Sequence, residues 1–355
     1  MTASVYSSLK VFHYPETIQA LAAHRHVAPL HVRIKPTNVC NHGCYFCAYR
    51  RDDLSLGTTM QVRDRIPRDK MREIVDDLIA MDVKAVTFSG GGEPLLYPHL
   101  GETLERLGDA GIKIGVLTNG TPLRGKLAET LARTAAWVRV SIDGWDGQSY
   151  AQNRQVPEDS FAKVLANMAA FARFESDCVL GASVIVDEAN APHLADLVAD
   201  LKAHGAAHAK ISPCILHESG DRNAAHHAPF AQHVHDQIAR CQDVADAGFD
   251  VVDHYHFDLE EAPATRHPHC PMTRLLTVIG ADGAVYTCQD KAYTDAGRIG
   301  SIKDRSFRDL WESAETQAWL DAFDARSCGH HCVAAGKNKL LNDFLETNRA
   351  HTAFV

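Results

Sequence analysis

The sequence lacks any run of 18 consecutive apolar residues, so it offers no segment suited to cross a membrane as a helix. Its N-terminus also lacks the basic stretch and apolar run of a secretory signal. Basic residues are outnumbered, because 36 Lys and Arg face 45 Asp and Glu and give a formal net charge of −9. This balance argues against a nucleic acid partner. Ten cysteines without a secretory signal therefore predict a reducing, cytoplasmic location and metal ligation.

Stretches with strand character alternate with amphipathic stretches along much of the 355-residue chain. Short apolar runs predict strands at residues 31–35, 85–89, 113–118, 137–142, 179–186 and 209–212. A 3.6-residue period predicts helices at 15–24, 68–81, 100–110, 123–135, 160–174 and 192–204. In the helix at 68–81, the period places these residues on one face: Met71, Ile74, Val75, Leu78 and Ile79. Strand–helix alternation predicts an α/β fold with a parallel sheet and right-handed crossovers.

The densest group of candidate metal ligands is Cys40, Cys44 and Cys47, spaced C-x3-C-x2-C after the first predicted strand. Soft thiolates favour iron–sulfur clusters, zinc or copper(I). A structural zinc site needs four ligands and usually opens with C-x2-C, but the next cysteine is Cys178. A disulfide framework does not suit an odd set without a secretory signal. Since a [4Fe–4S] cluster takes four cysteines, three of them predict a cluster with one open iron.

Small and polar residues follow the next three predicted strands. They are Gly90, Gly91, Gly92 and Glu93; Asn119 and Gly120; and Ser141 and Asp143. Glycine suits a place where the backbone approaches a ligand closely, whereas a strand-end Ser or Asp alternatively caps the following helix. Barrel enzymes build their sites at the carboxyl ends of strands, so these positions are candidates for one site.

The cysteine motif and these strand ends, in this order, resemble the radical S-adenosylmethionine (SAM) superfamily. The resemblance implies a partial (β/α)6 barrel in which Cys40, Cys44 and Cys47 hold a [4Fe–4S] cluster whose open iron is chelated by SAM. The reduced cluster then cleaves SAM to methionine and a 5′-deoxyadenosyl radical. It also implies the following SAM contacts: Phe46 at the adenine; Gly91, Gly92 and Glu93 at the amino group; Asn119; Ser141 and Asp143 near the ribose and methionine end; and Arg154 near the carboxylate.

Four further cysteines, Cys270, Cys288, Cys328 and Cys332, fall in the last quarter of the chain. Between the first two, residues 275–279 and 284–287 flank an Asp-Gly turn, which predicts a β-hairpin. Four thiolates suit a fully ligated [4Fe–4S] cluster. A structural zinc site on the same four cysteines is the alternative.

This arrangement resembles the auxiliary-cluster extensions of radical SAM enzymes called SPASM and twitch domains. A SPASM domain has seven cysteines and two clusters, so four cysteines fit the shorter twitch type with a second, auxiliary [4Fe–4S] cluster. The closing C-x3-C departs from the usual C-x2-C, which leaves open whether His330 or His331 replaces one thiolate. We therefore expect a lead-in at 1–30, the barrel at 31–215, a linker or insertion at 216–269, and the auxiliary domain with its tail at 270–355.

Three cysteines remain outside both groups. Cys178 and Cys241 are predicted to be buried thiols. Cys214 follows the sixth predicted strand and faces the expected cavity, and the resemblance to epimerases of the superfamily makes it the candidate catalytic hydrogen-atom donor. Residues 214–236 are expected to form an insertion or lid, with these histidines on a solvated face: His226, His227, His233 and His235.

The leading hypothesis for function is a radical SAM oxidoreductase or epimerase that takes a hydrogen atom from a small polar metabolite, such as a sugar, an aminocyclitol or a nucleotide-linked precursor. Little of the chain precedes the first strand, so we expect no separate peptide-recognition module. A peptide maturase and a non-radical iron–sulfur electron carrier are the alternatives. An external one-electron reductant of the flavodoxin or ferredoxin type is implied, with no nucleic acid or membrane partner. Candidate substrate contacts are His42, Arg50, Asn153, His217, Glu218 and the tail at 337–355.

Overall fold

Strands and helices alternate along the chain in the computed structural model, which describes residues 6–51, 54, 56–255, 267–328, 332–351 and 353. The strands are β1 (His31–Ile34), β2 (Ala85–Phe88), β3 (Lys113–Thr118), β4 (Trp137–Ser141), β5 (Val179–Val186), β6 (His208–Pro213), β7 (Asp250–Asp253), β8 (Leu276–Ile279), β9 (Ala284–Tyr286) and β10 (Arg298–Ser301).

The α-helices are α1 (Pro15–Ala22), α2 (Arg68–Ala80), α3 (Leu100–Asp109), α4 (Gly125–Thr134), α5 (Gly147–Arg154), α6 (Asp159–Phe171), α7 (Leu194–Ala203), α8 (Gly220–His227), α9 (Ala231–Val244), α10 (Met272–Leu275), α11 (Phe307–Trp311), α12 (Ala314–Ala322) and α13 (Ala335–Glu346). Short 3-10 helices span Ser8–His13, Pro94–Leu96, Ala191–His193, Gln289–Lys291, Asp295–Gly297, Ala325–Ser327 and Arg349–His351.

The ten strands form one sheet in the order β10-β9-β8-β1-β2-β3-β4-β5-β6-β7. Strand β8 and strands β1 to β7 run parallel to one another, whereas β9 is antiparallel to its neighbours β8 and β10. Within the described residues the sheet is open at β10 and β7. The predicted α/β fold, with a partial barrel and a C-terminal extension, is confirmed.

The expectation of six parallel strands is incomplete, because β7 and β8 lengthen the parallel part of the sheet on its two sides. The β7 sequence has only four residues, with an aspartate at each end, which is too short to show a strand pattern. Strand β8 was expected only as half of a hairpin. It forms that hairpin with β9 and also pairs with β1, so residues after 270 share the sheet of the barrel.

Alternation along the strands separates an apolar outer face from a polar inner face. In β1, Val32 and Ile34 are fully buried and belong to the main hydrophobic core. Helix α2 packs Met71 and Ile74 into the same core, as its 3.6-residue period predicts. The assignment of Ile79 to that face is wrong, since its exposed fraction is 42%. Its position, eight residues after Met71, lies about 80° around the helix.

The narrow end of the barrel, where the strands begin, is closed by large side chains lying over glycines. A Cβ atom on Gly115 would lie 2.1 Å from the ring of Trp137, and one on Gly181 would lie 2.2 Å from the ring of His208. The hydroxyl of Tyr6 forms a 2.8 Å hydrogen bond with Nε2 of the same histidine. These rings fill the floor of the interior, so the opposite end, at the carboxyl ends of the strands, is the part that remains for a site.

Residues 214–236 form helix α8 and the start of α9, and their histidines divide into two kinds. His233 is exposed, as expected for a solvated face. His227 is 1% exposed and forms hydrogen bonds with Tyr255 Oη and the Cys214 carbonyl oxygen. His226 contacts Asp187. The expectation of a solvated face is therefore wrong for His226 and His227, because α8 packs on the carboxyl ends of β5 and β6.

The tail helix packs against the start of the chain. Helix α13 places Leu341 in a small apolar cluster with Ile18 and Leu21 of α1.

None of the described helices has both the length and the apolar character that crossing a membrane requires. Residues 256–266, part of the expected linker or insertion, lie outside the described residues. The four domain boundaries remain predictions.

Replacing Gly115 by Ala should destabilise the protein by about 1–3 kcal/mol, because the new methyl group collides with the half-buried Trp137 ring. The free energy of unfolding, measured by denaturant titration, checks this. Gly101→Ala is the matched control, since a Cβ atom there meets nothing within 4 Å and α3 continues around it. We expect Gly101→Ala to be neutral or stabilising by up to about 1 kcal/mol. Equal effects of the two substitutions would contradict the floor geometry.

Candidate active site

The three early cysteines lie together in the cysteine loop (residues 38–50), which leaves the carboxyl end of β1. The Cys47 amide donates to the Cys44 carbonyl at 3.2 Å and the Arg50 amide to the Cys47 carbonyl at 2.9 Å, which folds the loop into consecutive turns. Cys40 and the other two are half-buried. Burial raises the pKa of Cys44 to about 11, so its thiolate requires a cationic partner, a role that suits iron.

The glycine turn (residues 90–92), which follows β2, packs directly against this loop. The Glu93 amide donates a 2.9 Å hydrogen bond to the Val39 carbonyl. A Cβ atom on Gly92 would lie 2.2 Å from the Val39 oxygen, and one on Gly91 would lie 2.2 Å from the side-chain oxygen of Asn38. The glycines therefore allow two chain segments to approach each other. The close approach expected for a ligand is thus made to the chain itself.

Glu93 is 2% exposed and accepts three hydrogen bonds. Its Oε1 accepts from the Thr118 hydroxyl at 2.7 Å and the Leu95 amide at 3.0 Å, and its Oε2 accepts from the Asn119 amide at 2.7 Å. Burial raises the pKa of Glu93 to about 7, although all three donors act to lower it. The carboxylate thus joins the ends of β2 and β3, and Oε2 retains one lone pair for a further donor. Its contact with SAM remains a prediction.

The loop after β3 holds the other side of the cysteine loop. Asn119 Nδ2 donates to Asn41 Oδ1 at 2.8 Å, and Nε2 of His42 forms a 2.9 Å hydrogen bond with the Thr121 hydroxyl. Arg50 Nη1 donates to the His42 carbonyl at 3.1 Å. His42 is 5% exposed. His42 and Arg50 therefore stabilise the cysteine loop. Their contact with a substrate remains a prediction.

Arg154 is the centre of a buried group at the carboxyl end of β4. Its Nη2 donates to Asp143 Oδ1 and, at 3.1 Å, to the Ser141 hydroxyl. Its guanidinium carbon lies 5.5 Å from the ring centres of both Phe46 and Tyr150. Burial acts to lower the pKa of Arg154, but Asp143 and the other neighbouring acidic groups together outweigh it, and the pKa is raised. The structure thus brings Phe46, Ser141, Asp143 and Arg154 together, as predicted for one site.

Backbone contacts fix this group against the cysteine loop. The Gly43 amide donates to the Arg154 carbonyl at 2.9 Å, and the Tyr45 amide donates to the Asn153 carbonyl at 3.2 Å. A Cβ atom on Gly43 would lie 2.5 Å from the side-chain oxygen of Gln155. Asn153 therefore contributes at least its carbonyl group to the site. The end of α5 and the cysteine loop form one unit.

Several buried polar atoms around this unit have no hydrogen-bond partner in the described residues. They are His42 Nδ1, Ser89 Oγ, Asp143 Oδ2, Tyr150 Oη and Arg154 Nε. Buried polar groups are normally paired, so a concentration of unpaired ones indicates a place for a polar ligand. Donors and acceptors are both present, as an amino acid moiety with a charged amine and a carboxylate requires. The residues therefore fit SAM beside an iron–sulfur cluster.

The four later cysteines come from three chain segments that meet beside the hairpin. Cys270 precedes α10, Cys288 follows β9, and Cys328 and Cys332 precede α13. All four are half-buried. Burial raises the pKa of Cys288, and the charges of Asp290, Cys270 and Cys332 raise it further, as expected for groups that lie near one another. Asn338 Nδ2 donates to Cys270 Sγ at 3.1 Å.

Within the described residues, no three His, Cys, Asp or Glu side chains converge on a single point as a mononuclear metal site would require. A [4Fe–4S] cluster does not need such convergence, because each cysteine binds a different iron. The described arrangement of the later cysteines is therefore compatible with a cluster and shows no preformed zinc site. His330 and His331, the alternative ligands, lie outside the described residues.

Cys214, the candidate hydrogen-atom donor, is fully buried at the carboxyl end of β6. Burial raises its pKa, and the Tyr45 side chain contacts the thiol. The Tyr45 hydroxyl also donates to Asp187 Oδ2 at 2.8 Å, and Asp187 Oδ1 lies 2.7 Å from His226 Nε2. Neither Tyr45 nor Asp187 was predicted from the sequence, and His226 was expected on a solvated face. Asp187 directly follows β5, so the strand-end pattern that selected Asp143 would also have found it.

Charged residues inside the barrel were missed as well. Lys35 is fully buried, and its ammonium donates to the Tyr49 hydroxyl at 2.6 Å and the Gly90 carbonyl at 2.9 Å. Arg33 on β1 and Arg139 on β4 occupy inward positions. Charged residues at alternate positions of otherwise apolar strands were the available signal. Of the other candidates, His217 is half-buried and is held through its backbone by Asn223.

Comparison with known proteins decides the family. The model of the radical SAM superfamily matches residues 34–201, and the model of the SPASM iron–sulfur cluster-binding domain matches residues 270–333. The chain is a radical SAM protein with a SPASM-type auxiliary domain. The two domains imply a SAM-binding [4Fe–4S] cluster and an auxiliary iron–sulfur cluster. The assignment of individual ligands to them remains a prediction.

Curated relatives cover part of this radical SAM chain. The dTDP-4-amino-4,6-dideoxy-D-glucose ammonia-lyase of Streptomyces venezuelae is 30% identical over 203 residues, which is 52% of this chain and 39% of that protein. The AdoMet-dependent heme synthase of Methanosarcina barkeri is 28% identical over 142 residues, or 40% and 38% of the two chains. The S-adenosylmethionine-dependent nucleotide dehydratase of Flammeovirga pacifica is 28% identical over 104 residues, or 29% and 35%. The alignments thus span about two fifths or less of these relatives.

Solved structures share the fold over most of the chain. SuiB of Streptococcus suis bound to S-adenosylmethionine has a TM-score of 0.63 at 16% identity, covering 92% of this chain and 78% of that one. The enzyme anSMEcpe with bound AdoMet has a TM-score of 0.60 at 20% identity, covering 82% and 83%. At these identities the likeness concerns the fold alone.

Replacing Glu93 by Gln should weaken SAM binding and lower the free energy of unfolding by about 1–3 kcal/mol. The amide NH2 of Gln would face one of the three groups that now donate a hydrogen bond to the carboxylate. Equilibrium dialysis of SAM with the reconstituted protein and denaturant titration measure the two effects. Glu129→Gln, at an exposed position of α4, is the control and should change neither SAM binding nor the free energy of unfolding. Unchanged SAM affinity in Glu93→Gln would remove Glu93 from the SAM site.

Proposed function

We propose that this protein is a radical SAM enzyme that takes a hydrogen atom from a small polar metabolite. The supporting observation is that Glu93, which follows β2, and Arg154, the last residue of α5, both contact the cysteine loop and leave unpaired polar atoms around it. When bound, SAM and the reduced cluster supply a 5′-deoxyadenosyl radical. The chain supplies the orientation: Arg154 and Asp143 hold charge at the methionine end, and Phe46 offers a ring to the adenine. An external one-electron reductant completes the system.

The substrate side of the proposal is a sugar-type or nucleotide-linked molecule. Two of the relatives carry such molecules in their names, a dTDP-linked aminosugar and a nucleotide. The inward positions of the strands in this chain are polar, including Ser183 and Lys210, and they are partly accessible. A polar interior suits a hydroxyl-rich or charged substrate better than an apolar one.

After loss of a hydrogen atom the substrate radical has two outcomes, and this chain has residues for both. Oxidation requires the loss of one electron and one proton. The auxiliary cysteines provide a place for an electron acceptor, and Asp187 is a carboxylate at the mouth of the barrel. Epimerisation requires a hydrogen atom from a donor on the other face, and Cys214 is the thiol beside Tyr45.

Anaerobic reconstitution should load about eight irons per chain, four for each cluster, and dithionite with SAM should release 5′-deoxyadenosine. Cys44→Ala should retain about four irons and release no nucleoside. Iron analysis and chromatography of the products measure both. Cys178→Ala, a half-buried cysteine outside both groups, is the control and should match the wild type. A wild-type protein with full iron that releases no nucleoside would refute the enzyme assignment.

Cys214→Ala separates epimerisation from oxidation. If the thiol donates the hydrogen atom, the variant should still cleave SAM but form no epimerised product, and deuterium from solvent should enter the wild-type product. Mass spectrometry of product and nucleoside measures both. Cys241→Ala removes another fully buried thiol, on α9 and away from the site, and should keep product formation. Unchanged turnover of Cys214→Ala would exclude the donor role and favour oxidation.

A further inference from the structure

The interior of the barrel contains a layer of positively charged side chains above its floor. His31, Trp137 and His208 open strands β1, β4 and β6. The third residue of each of these strands, two positions further along and on the same inward face, is a cation. These residues are Arg33, Arg139 and Lys210, and together we call them the cation layer.

The members of the cation layer act on one another electrostatically. Burial is the main cause that lowers the pKa of Arg33, and the charge of Arg139 lowers it further. His254, which packs against Tyr6 on the floor, has its pKa lowered to about 4 by burial and then by Lys210 and Arg139. Charges on three separate strands are therefore within range of each other, in an interior that screens them poorly.

Two lysines outside the sheet add positive charge near the cation layer. His31 has its pKa lowered to about 3 by burial, then by Arg33, Lys337 and Lys10. Lys337 lies near the start of α13 and is reached by solvent. Lys10 lies in the first 3-10 helix.

Among the described residues, fewer carboxylates than cations act on this region. Asp290 acts on Arg33 and on Lys35, Asp250 acts on His208, and Asp253 acts on His254. The chain as a whole has a net charge of −9. The described charges around the cation layer are, in contrast, mostly positive. Such a concentration of like charge destabilises the fold unless something compensates it.

Both guanidinium groups of the layer also retain unused donors. Nε of Arg33 and Nε of Arg139 are buried and have no hydrogen-bond partner among the described residues. Arg139 uses Nη1 to donate to the Tyr6 hydroxyl at 2.9 Å. A guanidinium presents a fork of donors that matches a phosphate or carboxylate group. The free donors point to an anionic ligand that enters from the strand ends.

This ligand is not SAM, because the groups assigned to SAM lie one layer higher. On β4, Arg139 precedes Ser141 by two residues, which is about 7 Å along a strand. The methionine end of SAM is expected at Ser141, Asp143 and Arg154. Several cations around one space exceed the charge of one carboxylate and suit a group with two or three negative charges.

We propose that the cation layer, with Lys337, binds the phosphate groups of the substrate, which makes a nucleoside diphosphate-linked or other phosphate-bearing molecule the substrate class. The proposal rests on the proposed function and narrows it. Phosphate held at the layer would leave the remainder of the substrate above it, between the layer and the cysteine loop, where a hydrogen atom is to be removed.

The test measures binding of thymidine diphosphate to the reconstituted holoprotein with SAM, by anaerobic calorimetry. Inorganic pyrophosphate, citrate and uncharged thymidine are the comparison probes. We expect the two diphosphates to bind, with affinity that falls as salt rises, and citrate and thymidine to bind at least about tenfold more weakly. Equal binding of thymidine would show that the anion is not recognised, and preferred binding of citrate would overturn the phosphate assignment.

Arg139→Gln should weaken thymidine diphosphate by about tenfold or more, since a charge-assisted hydrogen bond contributes on that order. Arg139→Lys should restore part of the affinity. Arg133→Gln, on exposed α4 and paired with Glu105, is the control and should bind as the wild type does. Unchanged affinity in Arg139→Gln would refute the cation layer as the binding site.

A second pair of variants avoids the floor of the barrel. Lys337→Gln should lower the affinity, whereas Lys339→Gln, on the same helix and paired with Asp343, should not. Iron content and thermal midpoint confirm that each variant is folded and loaded. Release of 5′-deoxyadenosine by the wild type is scored separately. If the nucleoside is released but no phosphate probe binds, the cation layer is refuted and the radical SAM function stands.

Discussion

The Glu93 carboxylate, buried between two strand ends, holds the candidate site in its shape. Its oxygens accept from Thr118, Leu95 and Asn119, while its backbone amide donates to Val39. One residue therefore ties together the ends of β2 and β3 and the loop with the three early cysteines. The glycines before it permit the approach, since a Cβ atom on Gly92 would meet the Val39 oxygen. These contacts hold the cysteine loop in place, and the Gly43 amide joins that loop to the Arg154 carbonyl.

The sheet gives this protein two chemically different faces. Outward residues such as Val32 and Ile34 pack against the helices and supply the burial that stabilises the fold. Inward residues include charged side chains such as Arg33 and Arg139. Their burial lowers the free energy of unfolding, because a buried charge loses its hydration. An interior that concentrates positive charge is therefore stabilised by the apolar layer behind it. This division explains why an acidic protein can have a basic interior.

The hairpin links the two groups of cysteines through the sheet. Strand β8 pairs with β1 in register from Leu276 opposite His31 to Ile279 opposite Ile34. The cysteine loop leaves one end of β1, and Cys288 follows the partner strand of the hairpin. The separation of the two groups is thus set by backbone hydrogen bonds and not by a flexible linker. A fixed separation is what electron transfer between two centres requires.

Much of this protein was determined by local sequence patterns. All six strands predicted from apolar runs are present with ends within one residue, because alternation and short apolar stretches are local properties. The cysteine spacing and the glycine turn likewise identified the family. What only the tertiary structure decided is which distant residues meet. Tyr45 and Asp187 are 142 positions apart and share a hydrogen bond, and the cation layer joins strands β1, β4 and β6. Such contacts depend on sheet order and strand direction, which no local pattern encodes.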